Sequence, residues 1–199
     1  MPDRPDITVR SAADVPWDDI RTVFGTRGDP AGCWCQYFKA SVTDWKTATT
    51  DGCREALREQ IASASPSPGV VAYLSGEPVG WCAVEPKIHY PRLRRSPIAG
   101  DGSSEKADDA SVWAITCFVV RVGFRKRGIA RALLDGAVQH GRRNGARLLE
   151  AYPIDTIARP KTSSAELYHG PLSLFESSGF TVSARPSPGR AVVTLNIGG

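Results

Sequence analysis

The spacing of apolar positions changes along the chain and predicts alternating strands and helices. Residues 7–10 alternate apolar and polar, the period of a short strand. Asp14 is placed to cap a helix over 15–24 with Pro16 and Trp17 in its first turn, and 25–32 is a loop by composition. A helix over 52–62 carries Leu57 and Ile61 at i, i+4 spacing. Residues 70–74 and 78–84 then form a hairpin turning at Ser75-Gly76-Glu77. The run 112–120 is apolar, β-branched and aromatic on both alternations, the pattern of a buried central strand. Beyond it, Ala130, Leu133, Leu134, Ala137 and Val138 keep helical spacing, Arg142 and Arg143 suit the C-terminal dipole, and Asn144-Gly145 ends the helix. Residues 148–152 make a short strand stopped by Pro153. Ser163 or Ser164 can cap a helical stretch toward Ser177, broken at Gly170-Pro171, and strands at 180–183 and 191–197 close the chain. The order is that of a mixed α/β (α+β) layer structure.

The connection 86–110 has a basic, aromatic half from Lys87 to Arg95 and a polar, flexible half from Ala99 to Asp109. With 199 residues, 41% of them hydrophobic, the chain suits a single domain, 1–199. A formal charge of +4 is too mild to indicate a nucleic-acid partner. The N-terminus lacks the apolar stretch of a signal peptide, and 112–120 falls far short of the roughly 20 residues that span a bilayer. Five cysteines at irregular spacing read as reduced thiols. The expectation is a cytoplasmic protein with no membrane partner, monomeric or homodimeric.

The unit that carries chemistry is Arg125-Lys126-Arg127-Gly128-Ile129-Ala130, set between the buried strand and the amphipathic helix. The first amides of a helix lack intrahelical partners and carry part of the positive dipole end, so a loop that turns them inward binds phosphate or pyrophosphate. Gly128 permits close backbone approach, Ala130 is small, and Arg125, Arg127 and Arg131 add charge. Neither the Walker pattern nor G-x-G-x-x-G is present.

This loop resembles the [Arg/Gln]-x-x-Gly-x-[Gly/Ala] loop of the GNAT superfamily of N-acetyltransferases. The likeness runs from Val70 to Asn196. It takes in the hairpin strand Pro78-Val-Gly-Trp-Cys-Ala83, the strand at Leu148 and the late Leu174-Phe-Glu-Ser-Ser-Gly-Phe180. The first 65 residues match only in the order of elements. The resemblance implies a mostly antiparallel sheet splayed between its fourth and fifth strands and flanked by helices. It implies acetyl-CoA as co-substrate, no metal, and direct acetyl transfer to a primary amine of a small molecule or peptide. Carried over by position, the backbone of Phe118, Val119 and Val120 bonds the pantetheine arm, and the amides from Arg125 through Lys126, Arg127, Gly128 and Ile129 to Ala130 hold the pyrophosphate. A non-catalytic acyl-CoA sensor, or a transferase of another acyl group, is the alternative.

The chain departs from the family where proton transfer is handled. Phe175 stands where many members have a Tyr, Tyr168 where an Asn is frequent, and Ala114 and Thr116 where a base occurs. That leaves Glu85, Glu150 and His89 as candidate bases and Tyr168 as a candidate acid. Glu150 and Tyr152, two residues apart, share a strand face. In Cys33-Trp34-Cys35-Gln36-Tyr37-Phe38, no further cysteine pair or histidine cluster supports a metal site. Trp34 and Tyr37 are either core or an aromatic wall for the acceptor, and His89 joins them as a candidate acceptor contact.

Overall fold

The computed structural model describes residues 6–99, 102–106, 108–163 and 166–198. Among these, one sheet contains β1 (Ile7–Ser11), β2 (Gly69–Leu74), β3 (Glu77–Pro86), β4 (Val112–Val120), β5 (Leu148–Ala151), β6 (Thr181–Ser187) and β7 (Arg190–Asn196). Their spatial order is β1-β2-β3-β4-β5-β7-β6, and every neighbouring pair is antiparallel except the parallel β4 and β5. Ser75 and Gly76, both at positive φ (50° and 83°), make the tight turn joining β2 to β3, a backbone twist that suits a two-residue hairpin.

The helices are α1 (Trp17–Phe24), α2 (Gly28–Cys33), α3 (Val42–Lys46), α4 (Thr50–Ser63), α5 (Ile129–Arg143) and α6 (Leu172–Glu176). Two expected boundaries are corrected. Asp14 does not cap α1: it ends a separate 3-10 turn, Ala12–Asp14, because Val15 ahead of Pro16 is held extended and breaks the path. The stretch 25–32, expected as loop, contains α2, with Asp29 and Pro30 early in the helix where both are favourable. Farther on, Ser163 Oγ accepts from the Glu166 N–H while the Glu166 carboxylate accepts from the Ser163 N–H. This reciprocal cap opens a 3-10 turn, Glu166–His169, and α6 begins only after Gly170-Pro171. Ser164, the other capping candidate, lies outside the described residues, as do Gly100, Asp101 and Ala107 of the long connection.

Period-two alternation sends the sheet's side chains to two faces. One face buries Val79, Cys82, Val84, Ile115 and Phe118 under α5 and α6. There α5 lies close on the sheet, since a Cβ at Gly80 would stand 2.9 Å from Ile129 and Leu133. The opposite face is covered in two blocks. Over β2 to β4, the helices α1 and α4 with Trp34 pack on Val71, Trp81, Ala83 and Val119. Over β4, Tyr152 and β7, Phe38, Tyr90, Leu93 and Ala99 pack on Ala114 and Val192. The basic, aromatic half of the long connection is therefore seated on the sheet, with 3-10 turns at Lys87–His89 and Leu93–Arg95.

Candidate active site

β4 pairs with β3 from Trp113 to Val120, but with β5 only from Val112 to Ile115. The register shift opposite Ala83 and Val84 makes Thr116 an extra, bulged residue where the two partners part company. Past β5 the chain turns away: the Ile154 N–H bonds to the Gly170 carbonyl, and the Ile154 carbonyl accepts from the Leu172 N–H. The edge of β4 over 116–120 that faces away from β3 has no strand partner among the described residues. Phe118, Val119 and Val120 line it, the Phe118 ring set edge-on to Phe175.

That open edge leads into the basic loop. Lys126 and Gly128 both have positive φ (61° and 83°), and Gly128 is the residue from which α5 starts. A Cβ at Gly128 would have only Ile7 near it, at 3.9 Å, so the glycine answers a backbone conformation rather than crowding within the chain. The amides of 129–131 are the unpartnered first turn of α5, and the left-handed steps before them add to a concave row of donors. Arg125, Lys126, Arg127 and Gly128 are exposed, and among the described residues no carboxylate pairs with the three cations. None of the described residues covers this row.

On the opposite face from α5, register places Glu85, Ala114 and Glu150 side by side across β3, β4 and β5. Glu150 does not stand open as a base. Its side chain is 1% exposed; Oε1 accepts from Lys87 Nζ at 2.6 Å and from the Tyr152 hydroxyl, and Oε2 accepts from Ser103 Oγ. The sequence put Glu150 and Tyr152 on one face correctly, but that face is roofed here by the long connection. Glu85 is also buried, yet it reaches outward. Burial alone would raise its carboxyl, but the hydrogen bond from His89 and the Lys39 ammonium 2.5 Å away hold it below the usual value. His89 Nδ1 lies 2.9 Å from Glu85 Oε2, and the His89 side chain is 47% exposed.

The aromatic candidates separate. Trp34 is core: it is 3% exposed and stacks on Phe24 with ring centroids 4.6 Å apart. Tyr37 is exposed, edge-on to Phe38 and Trp45, with the Arg92 guanidinium over its ring. Tyr168 and His169 stack on each other in the 3-10 turn packed against β4, and His169 also meets Phe38. Tyr168 is within electrostatic reach of Cys117 on β4, Arg190 on β7, and Tyr37 and Cys33 at the rim, and burial pushes its phenol up to about 12. Sequence reading missed Lys39, Lys87, His169 and Arg190: the partners of the two lysines are distant in the chain, and the other two are lone polar residues with no local signal. Among the described residues, no three His, Cys, Asp or Glu side chains converge as a metal site, and no helix is long and apolar enough to cross a membrane.

His169 is 1% exposed and its ring nitrogens make no well-formed hydrogen bond. Burial, then the nearby Arg190 charge, lowers it to about 3. The unfolded chain therefore binds a proton below about 6.5 that the folded chain refuses until about 3, so stability falls as pH drops through that window by about 1.4 kcal/mol per pH unit. Thermal melts between pH 7 and pH 5 are expected to show this loss, and His169→Phe to flatten it. Part of the slope remains in that variant because burial also lowers His140. An equally steep slope in the variant would assign the effect elsewhere.

Comparison with known proteins agrees with this geometry. No curated protein matches the chain. Among solved structures, the yncA protein of Salmonella typhimurium with its cofactor acetyl-CoA superposes with a TM-score of 0.54 at 15% identity, over 96% of this chain and 93% of that one. The PaiA N-acetyltransferase of Thermoplasma acidophilum, in complex with coenzyme A, gives 0.53 at 11% identity over 96% and 99%. A GCN5-related N-acetyltransferase from Kribbella flavida gives 0.53 at 18% identity over 96% and 98%. The model of the acetyltransferase (GNAT) family matches residues 34–169, a span that holds the half-open strand, the basic loop with α5, and the 3-10 turn set against β4. With the splayed sheet already in place around that span, the chain belongs to the GNAT family of acetyltransferases.

Proposed function

We propose that the protein moves an acetyl group from acetyl-CoA to a primary amine of a small molecule or peptide. The observation that carries this reading is the exposed row of unpartnered amides at the end of a strand whose neighbour has peeled away. Acetyl-CoA supplies the activated thioester. The main chain of Phe118, Val119 and Val120 would hold its pantetheine amides as an added strand. The amides from Arg125 to Ala130, with the Arg125, Lys126 and Arg127 side chains, would hold its diphosphate. Phe118 and Phe175 bound the space left for the acyl group.

Proton handling falls to the other face. His89, oriented through Nδ1 by Glu85 and open to solvent, would take the amine proton, while Glu150 anchors the long connection over the sheet. A phenol at about 12 lies well above an ordinary thiol near 8.5, so full proton delivery from Tyr168 to a thiolate is uphill by roughly 5 kcal/mol. Tyr168 therefore serves as a hydrogen-bond donor, and water returns the proton.

Calorimetry with acetyl-CoA, coupled to a thiol-release assay over a panel of amines, tests the reading. Binding together with release on at least one amine is expected. His89→Gln is expected to lower kcat about 100-fold while acetyl-CoA affinity holds. Binding without release across the panel would favour the acyl-CoA sensor, a reading that the buried Phe175 and the sealed Glu150 support. Absence of binding would end both readings.

A further inference from the structure

Among the described residues, the carboxylates of the acceptor face are already paired. Glu85 is taken by Lys39 and His89, Glu150 by Lys87, Asp155 by Arg185, and Glu166 by Arg159. Among the described residues Arg190 makes no ion pair: Glu166, whose charge it feels, is paired with Arg159, and the Arg190 Nη1 is buried without a hydrogen-bond partner. The residue as a whole is half-buried, but a fully buried donor such as this nitrogen normally finds an acceptor.

Its position is fixed by the sheet. Val192, two residues on, packs against Ala114 and Tyr152 on the face opposite α5, so Arg190 opens onto the same face one step nearer the gap. There it is bridged to Ile154, where the chain after β5 has left β4. Tyr168 packs against the cluster of Tyr90, Ala114, Tyr152 and Val192, in the 3-10 turn set against β4, within electrostatic reach of both Arg190 and Cys117. The His169 ring beside it is neutral and adds no charge of its own. Burial lowers the Arg190 pKa, yet a guanidinium stays charged at neutral pH and offers a planar fork suited to a carboxylate.

We infer that the acceptor amine carries a carboxylate, bound by Arg190 with help from the Tyr168 hydroxyl, so that the substrate is a small amino-carboxylate and not a polyamine or other polycation. The inference rests on the acetyl-transfer reading and narrows it. It also fits the charges on this face: a site for polycations would present free carboxylates, and Glu85, Glu150, Asp155 and Glu166 are each paired with a cation.

The test is a matched panel of amino-carboxylates, their carboxamides and the corresponding amines lacking the group, read by thiol release and by calorimetric binding in the presence of coenzyme A. Acetyl-CoA affinity is measured separately for each variant. The carboxylate is expected to be preferred over the carboxamide roughly 10- to 100-fold, the range for a hydrogen-bonded charge, and mainly in KM. Arg190→Met is expected to collapse that ratio toward one, and Arg190→Lys to restore part of it. A wild-type enzyme that takes carboxylate and carboxamide equally, or a ratio that survives Arg190→Met, would overturn the inference while leaving acetyl transfer in place. Failure of the wild type to bind acetyl-CoA would instead remove the reading on which it rests.

Discussion

Gly128→Asp is expected to weaken acetyl-CoA binding by roughly 100-fold or more while the protein remains folded. The two halves of that outcome have separate causes. Gly128 sits at φ 83°, and a Cβ there would meet only Ile7 at 3.9 Å, so the fold has room for a side chain. The strain of a left-handed non-glycine residue amounts to about 1 kcal/mol, and Asp and Asn tolerate it better than most. On the proposed reading the coenzyme has no such room, because its diphosphate would have to approach the amides that flank Gly128. A carboxylate about 4 Å from a diphosphate charge repels it by roughly 4 kcal/mol at an effective dielectric of 20, before solvent screening reduces the effect. Gly128→Asn isolates the charge, since it has nearly the same shape and the same backbone strain. It is expected to lose less affinity than Gly128→Asp, and the gap between them to shrink at high salt. Unchanged affinity in Gly128→Asp, with a melting temperature close to wild type, would take the loop out of the coenzyme site.

How legible each part was depends on the range of the interaction that builds it. The hairpin at Ser75-Gly76, the buried strand β4 and the amphipathic α5 declare themselves within a dozen residues, and the structure matches them within one or two positions. The helix α2 was hidden because glycine and proline dominate it, and Asp14 failed as a cap because the following Val15-Pro16 step is extended. The basic loop is readable for the same reason as α5: a strand, a basic turn and a helix start are consecutive in the chain.

The acceptor face is built from residues far apart in sequence, and there the residue type alone misleads. Trp34 was as suitable for a binding wall as for a core, and the stacking with Phe24 decides the matter. Glu85 and Glu150 were equivalent as candidate bases. What separates them is their neighbours: Glu85 meets an exposed histidine four residues on, whereas Glu150 meets a lysine 63 residues away under a roof. Arg190 carries no local signal, since the role proposed for it rests on an unpartnered Nη1 among the described residues, which only a folded structure can show.

Lys87→Met is the substitution expected to damage the fold most among those considered. Lys87 Nζ lies 2.6 Å from Glu150 Oε1, the two side chains are 4% and 1% exposed, and Ser103 and Tyr152 supply the remaining donors to the carboxylate. Removing the cation leaves a buried charge with two neutral hydrogen bonds, a defect that typically costs about 3–5 kcal/mol. At roughly 2–4 °C per kcal/mol for a domain of this size, the melting temperature should fall by about 6–20 °C. The pair itself need not be strongly stabilising, because each partner was desolvated to form it. The double variant Lys87→Met with Glu150→Gln removes both charges and keeps the hydroxyl contacts, so it should melt well above the single Lys87→Met. Glu150→Gln alone strands the ammonium in the same pocket and should fall in the same range as Lys87→Met. If Glu150 were instead the proton acceptor of the reaction, Glu150→Gln would abolish turnover with stability near wild type, and Lys87→Met would be mild. That pattern of melting temperatures and rates would return Glu150 to the chemistry and displace His89 from it.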